Sequence, residues 1–477
     1  MENKLLKKIL VDKNASIKEV MRKIDLGLLG IAFIIDKEKR LFGVVTDGDI
    51  RRAILKGINI DKSIKEIVNK NPIFIKEGLS GKSFLKFKNS NKVKKAMPIS
   101  GALSVPIVDK NKEIKDLIFI YPDKNNVFHS CKSQTKIKER TIKKVLLTGG
   151  AGYLGSVLSR QLLKKGYKVR ILDNLIYGDE GIRELYKNNN FEFLKGDIRN
   201  ISEIMEAING VDAVIHLAAI VGDPASQLDS RKTIEINYLA TKNIAEACKY
   251  NQINKFLFTS TCSVYGASKN PNNQLKETSF LNPVSLYAET KLKSEEGILS
   301  LADENFAPTI FRFGTLYGVS PRMRFDLVIN ILTAKALLDK KFTIFGGKQW
   351  RPNLEVSDAA EACILWLKSS IKKSGRRIFN VGNNKQNCQI IKIGEIIKKN
   401  IPDVEMEIKK EEEDLRNYNV SFDKINKKLG FKTKKTIEKG VKEIKKMIKI
   451  NKIKNLNKNN YSNYRFLSES IKRTVFK

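Results

Sequence analysis

Val145-Leu-Leu-Thr-Gly149-Gly-Ala-Gly152-Tyr-Leu-Gly155 carries an apolar strand into a glycine-rich turn, and the residues that follow continue as a helix. Leu154, Leu158 and Leu162 recur at i+4, and Gly166 supplies the stop. A strand, a G-x-x-G-x-x-G turn and a helix in that order suit one task. The backbone must approach a pyrophosphate closely, which a Cβ would block, while the helix N-terminus offers N–H donors and positive potential. Asp173 closes the next strand, where an acid hydrogen-bonds the adenosine ribose. A carboxylate there repels a 2′-phosphate, so NAD is expected rather than NADP.

Outward from that turn the texture is that of an α/β protein with a parallel sheet, short β-branched runs alternating with amphipathic helices. Strands are expected at 144–147, 169–172, 191–194, 213–216, 256–260 and 309–313. That texture gives a Rossmann-type doubly wound domain over 142–450 with a small C-terminal part. Residues 451–477 read as a basic polar tail.

Towards the N-terminus the chain repeats itself. The run from Ala32 to Thr46 aligns with that from Val105 to Phe119, each a strand, an Asp-Lys turn and a strand. In the first copy Asp47-Gly-Asp49 opens a helix that Gly57 ends, and Ser16 and Glu19 have capping-box spacing ahead of Ile17, Val20, Met21 and Ile24. Residues 5–122 therefore form an α+β pair, and the polar, aperiodic stretch 123–141 reads as a linker.

Bulk composition narrows the class. A chain of 477 residues that is 42% hydrophobic can bury two or three cores. No apolar run approaches the ~20 residues of a membrane helix, and the charged N-terminus lacks a signal-peptide core. A cytoplasmic protein without a membrane partner is expected. Five cysteines without C-x-x-C spacing and only two histidines, His129 and His216, argue against a disulfide framework or a metal centre. The net charge of +37 comes from lysines spread over every segment. That pattern reads as solvated faces rather than a nucleic-acid footprint, while still attracting a diphosphate.

Residues 142 to about 447 resemble the extended short-chain dehydrogenases acting on nucleoside-diphosphate sugars, the group of 4-epimerases and 4,6-dehydratases. The resemblance is carried by His216-Leu-Ala-Ala219, Thr259-Ser-Thr-Cys-Ser-Val-Tyr-Gly266, Asn282-Pro-Val-Ser-Leu-Tyr-Ala-Glu-Thr-Lys291, Arg312-Phe-Gly-Thr-Leu-Tyr-Gly318 and Trp350-Arg-Pro-Asn-Leu-Glu-Val-Ser-Asp358. It implies NAD held by Gly149, Gly152, Tyr153, Leu154, Gly155, Asp173, Asn174, Asp197, Ile198, Leu217, Ala218, Ala219, Asn237 and Lys291. It also implies a catalytic tyrosine four residues before a lysine. Three such pairs occur, at Tyr238, Tyr265 and Tyr287, and with 13 tyrosines and 89 basic residues about two are expected by chance. Only Tyr287 opens the helix after the 256–260 strand, with Lys291 on the same face. Thr261, at that strand's end, would hold the reacting oxygen.

The departures from the resemblance bear on the reaction. Where dehydratases carry Asp and Glu after the threonine, this chain has Cys262 and Ser263, which removes the acid and base needed to eliminate water. Cys262 and His216 read as packing residues. What is left is a nucleotide-sugar epimerase, most simply a 4-epimerase, with a one-way dehydrogenase or ketoreductase as the alternative within enzymes. The alternative outside them is a nucleotide-sensing binding protein without catalysis. Arg351 and Arg416 match the family's diphosphate contacts. Thr315 and Glu355 stand where many relatives have Asn and His. Arg322 and Arg324 face either substrate or solvent. The N-terminal pair resembles tandem CBS domains, which implies either an adenine nucleotide at Thr46 and Asp49, the second copy having Phe119-Ile-Tyr-Pro122 instead, or a docking and dimerising module without a ligand, and a homodimer is expected.

Overall fold

The computed structural model describes residues 9–27, 30–78, 87, 90–96, 103–120, 127–129, 141–268, 273–303, 306–409, 416–456 and 461–475. The chain divides into two compact units, Met1–Lys136 and Ile137–Lys477.

The first unit shows the internal repeat directly. In one sheet Leu10–Asp12 runs parallel to Ile31–Ile35, which turns back antiparallel into Leu41–Thr46. In the other, Ile75–Lys76 runs parallel to Leu103–Val108, which turns back into Ile114–Ile120. Both hairpins slip register at the same place, at Ile34/Ile35 and at Ile107/Val108. Each turn puts a lysine in the left-handed region, Lys39 at φ 60° and Lys112 at φ 64°. The strain is offset alike in each, because Asp36 accepts from the Arg40 amide and Asp109 from the Glu113 amide, both at 2.9 Å.

The capping box forms at both expected helix starts. Ser16 and Glu19 exchange hydrogen bonds before Ile17–Gly27, and Thr46 and Asp49 do so at Asp47–Leu55. After the second hairpin the chain adds a strand, Val127–His129, against Ile118–Ile120. Part of the expected linker 123–141, Val127–His129, is thus sheet, and 123–126 and 130–140 lie outside the described residues.

The second unit is a seven-stranded, all-parallel sheet. Its strands are β1 (Lys144–Thr148), β2 (Lys168–Asp173), β3 (Phe191–Lys195), β4 (Ala213–His216), β5 (Lys255–Thr261), β6 (Thr309–Phe313) and β7 (Arg377–Val381). Their spatial order is 3-2-1-4-5-6-7, the doubly wound order in which a dinucleotide lies across the carboxyl ends of the strands. The six expected strands are all present, and β7 is the one that went unexpected. The sheet interior is continuous apolar surface, as parallel strands covered on both faces require.

Helix α1 (Tyr153–Lys164) follows β1, α2 (Thr241–Tyr250) precedes β5, and α3 (Leu286–Ser300) precedes β6. Gly166, at φ 84°, ends α1 as expected. Beyond the sheet, small strand groups at Thr315–Tyr317, Trp350–Glu355 and Asn387–Gln389, and at Lys341–Phe345 and Glu405–Lys409, build the C-terminal part. Helix α4 (Val356–Lys368) packs on α1.

The segment after 450 is not a separate tail. Tyr461 packs edge-on against Phe325, and helix α5 (Asn463–Val475) lies on the short helix Asp223–Gln227, with Leu467 buried in the core beneath. Its few apolar anchors are scattered among lysine and asparagine, too sparse for a periodic signal.

Candidate active site

A cavity of about 700 Å³ opens along the carboxyl ends of β1, β2, β4 and β5 and reaches into the C-terminal part. Its floor is the glycine turn. Gly149 sits at φ 72°, and a Cβ there would come within 2.6 Å of the Ala218 backbone; a Cβ on Gly155 would meet Gly150 at the same distance. Only glycine lets the turn, α1 and the loop after β4 close on one another. Gly152, Tyr153, Leu154 and Gly155 at this helix start line the cavity, and no side chain caps the helix at Gly152, which suits an anion there.

Most of the residues expected to hold a dinucleotide line this cavity: Gly149, Gly152, Tyr153, Leu154, Gly155, Asp173, Asn174, Asp197, Ile198, Leu217, Ala218, Ala219 and Lys291. Asp173 accepts from the Ala151 and Leu175 amides at 3.0 and 2.8 Å. Burial pushes its carboxyl up, against those amides and Arg322, which favour the charged form. Asn237 departs from the expectation. It is fully buried, and its amide is bonded on both sides to the Ile220 backbone, so it fixes the loop after β4 without facing the cavity. The Tyr153 phenol is likewise engaged, donating to the Gly318 carbonyl at 2.6 Å. The arrangement suits NAD, with glycines for the pyrophosphate, a carboxylate at the end of β2 for a ribose and a cavity continuing past β5 for the reacting ring.

Thr261, Tyr287 and Lys291 meet on one wall. Ser285 caps α3 through the Ala288 amide, which sets Tyr287 in the first turn and Lys291 one turn on. The Lys291 ammonium donates to the Thr259 carbonyl at 2.9 Å and lies 4.6 Å over the Phe258 ring. Burial pushes it down to about 7. Burial also holds the Tyr287 phenol above its ordinary range, and Asp223 adds to this. Among the groups that act on it, Arg324 and the Thr261 hydroxyl favour the phenolate. Arg324, read from sequence only as a choice between substrate and solvent, lines the same cavity as Tyr287 and adds positive charge there, and no motif spacing announces it.

The two other Tyr-x-x-x-Lys pairs separate cleanly. Tyr238 lies in a π-helical turn, Glu235–Ala240, ahead of α2. The Tyr265 phenol is buried on Asn380 and Arg312. Cys262 is a packing residue, its thiol directed at the Arg312 carbonyl and pushed up by burial. His216 bridges Thr148 and Thr241 in the core, where burial holds it neutral at about 3.

Arg322 and Arg324 are both buried and line the cavity, which removes the solvent-facing alternative. Arg324 pairs with Asp326 at 2.8 Å. Thr315, Arg351 and Arg416 line the far end of the cavity. Arg351 stacks 5.5 Å over the Tyr418 ring and donates to the Arg416 carbonyl, and Arg416 pairs with Asp223 at 2.5 Å. Glu355 points elsewhere, capping α4 through the Ser357 and Asp358 amides. Its substitution for the histidine of many relatives therefore serves the helix. In the first unit, Thr46 and Asp49 are bonded to each other at 2.7 Å, with Arg52 on Asp49.

Comparison with known proteins fits this geometry. Residues 145–382 match the NAD dependent epimerase/dehydratase family, and residues 6–56 match the CBS domain. The chain is 33% identical over 261 residues to the dTDP-D-glucose 4,6-dehydratase of Dictyostelium discoideum, covering 51% of this chain and 59% of that one. It is 31% identical over 258 residues to the UDP-glucose 4-epimerase of Lactobacillus helveticus, covering 50% of this chain and 76% of that one. The crystal structure of UDP-glucuronic acid 4-epimerase from Bacillus cereus, in complex with UDP-glucuronic acid and NAD, superposes with a TM-score of 0.57 at 28% identity, over 64% of this chain and 99% of that one. The glycine cradle, the sheet order and these matches agree: the chain belongs to the NAD dependent epimerase/dehydratase family and carries a CBS domain in its N-terminal unit.

Proposed function

We propose that the protein is a nucleotide-sugar epimerase, acting at carbon 4 through transient oxidation with NAD kept bound. The observation that carries this is the state of the cavity's carboxylates. Asp173 is held by two amides, Asp197 by Arg199, Asp223 by Ser285 and Arg416, and Asp326 by Arg324. Among the described lining residues no carboxylate is left over for eliminating water, and the positions after Thr261 hold a buried thiol and a hydroxyl. Oxidation and re-reduction at one carbon needs only a base for the hydroxyl proton.

Tyr287 supplies that base. As phenolate it removes the proton of a sugar hydroxyl held by Thr261, and it returns the proton when the opposite face is reduced. Even from the ordinary tyrosine value of about 10, reaching neutral pH takes ~4 kcal/mol of differential stabilisation, and burial adds to that demand, which Arg324 and the Thr261 hydroxyl offset in part. NAD, held by the glycine turn, Asp173 and Lys291, would supply the hydride acceptor and donor. Arg351 and Arg416 sit where guanidinium forks suit a diphosphate. Asp173 excludes a 2′-phosphate and so selects NAD.

Purified protein incubated with UDP-, dTDP-, GDP- and CDP-sugars, without added cofactor, tests this by NMR. Epimer formation with no net NADH supports the reading. Stoichiometric NADH would assign a one-way dehydrogenase, and no turnover with any sugar would leave a binding protein. We also propose that Thr46 and Asp49 mark an adenine-nucleotide site that alters turnover and that the protein works as a homodimer. Calorimetry with AMP and ATP, and light scattering, check these. No helix among the described residues is long and apolar enough to cross a membrane.

A further inference from the structure

Within the last described stretch of the chain, Tyr461–Glu469 runs beside the cavity and places Asn463 on its wall. Asn463 is 3% exposed and makes three hydrogen bonds there. Its N–H donates to Asp326 Oδ2 at 3.0 Å, its Nδ2 to the Val221 carbonyl at 3.3 Å, and its Oδ1 accepts from Arg322 Nη2 at 2.8 Å. On one side the Tyr461 carbonyl accepts from the Phe325 amide at 2.8 Å. On the other, Phe466 meets the Tyr177 ring edge-on at 5.6 Å.

Topology says what this segment crosses. Tyr177 stands in the loop after β2 and Val221 in the loop after β4, and β1 lies between those two strands. A segment touching both loops passes over the carboxyl end of β1, where the glycine turn and the start of α1 lie.

The chemistry beneath it is incomplete. Arg322 is 4% exposed and stacks 4.6 Å over Tyr177, yet its Nε and the Tyr177 hydroxyl have no hydrogen-bond partner among the described residues. Its backbone is rooted on the turn. Ser320 bonds to the Tyr153 carbonyl and to Ser156, and a Cβ on Gly181 would touch both the Ala151 carbonyl and Arg322 Cβ. Arg322 and Arg324 share Asp326, and Arg322 also lies in the field of Glu180 and Asp173, but none of these carboxylates accepts from its Nε. A buried guanidinium with an unpaired N–H beside an anion-binding helix start calls for phosphate oxygens.

We propose that Tyr461–Glu469 is a strap across the pyrophosphate of the bound dinucleotide. Asn463 holds Arg322 to the phosphates, so the dinucleotide is retained through turnover instead of exchanging. This rests on the reading of the cavity as a dinucleotide site. The strap has to loosen for entry and exit, so its contacts set the exchange rate.

The test uses the fluorescent analogue etheno-NAD, chased with excess NAD. It compares the full chain, Asn463→Ala, Phe466→Ala and a chain ended at Leu456, with thermal melts reporting which are folded. The full chain is expected to release slowly and to carry NAD through gel filtration. Asn463→Ala should release about tenfold faster, the scale of losing its polar contacts, and Phe466→Ala should also release faster. Folded point variants that release at the full chain's rate overturn the strap, whatever the truncated chain does. A full chain that binds no etheno-NAD overturns the dinucleotide reading and the strap with it, a result distinct from equal retention.

Discussion

Replacing Lys291 with methionine should stabilise the protein at pH 6 while ending its activity. The ammonium is 3% exposed, has a carbonyl and a ring face for partners, and is held at about 7 instead of its ordinary 10.5. At ~1.4 kcal/mol per unit, that shift makes the charged form roughly 5 kcal/mol less favourable in the fold than in the open chain. Methionine keeps most of the apolar stem but loses the bond to the Thr259 carbonyl, worth ~1–2 kcal/mol. The net expectation is a gain of ~3 kcal/mol, several degrees in Tm for a domain of this size.

The sign with pH follows from linkage. Below about 7 both states of the native chain carry the proton and the destabilisation is complete. Between 7 and 10.5 the unfolded chain binds more protons, so native stability rises with pH, and near 10.5 the penalty is gone. Thermal melts of dinucleotide-free protein and variant should therefore converge as pH rises from 6 to 9.5. A Tm difference independent of pH, or a lysine protein more stable at pH 6, would refute the assignment of burial as the cause.

Tyr287→Phe should lower kcat by roughly 10²–10⁴ without changing Tm appreciably, since only the proton-transfer group is lost. Glu295→Gln breaks the buried pair with Arg312, 2.6 Å long and joined by Ser260, which ties α3 to β5 and β6; it should cost ~3–5 kcal/mol in denaturant melts. Gly149→Ala places a Cβ 2.6 Å from the Ala218 backbone at a φ of 72°, and dinucleotide binding by calorimetry should be abolished.

Much of this was written locally. The glycine turn, the strand ends and the capping boxes depend on φ, Cβ sterics and hydrogen bonds within a few residues, so the sequence announces them. The twin hairpins show it best: two Asp-Lys turns 73 positions apart adopt the same left-handed lysine because each carries its own aspartate cap. The choice of Tyr287 among three tyrosines was likewise available from chain order. β7 was missed although Gly375 and Gly382 bound it, because Arg377–Val381 is short, does not alternate and carries only three apolar residues, Ile378, Phe379 and Val381.

What the sequence determined by itself was the dinucleotide fold, the repeated N-terminal hairpin and which tyrosine and lysine share a helix face, because those follow from near-neighbour geometry. Only the tertiary structure decided that Arg324 lines the same cavity as Tyr287, that the Asn237 amide belongs to Ile220, and that Asn463 reaches across 141 residues to Arg322. Pairs of that separation leave no periodicity to read, since their meeting depends on how whole elements pack.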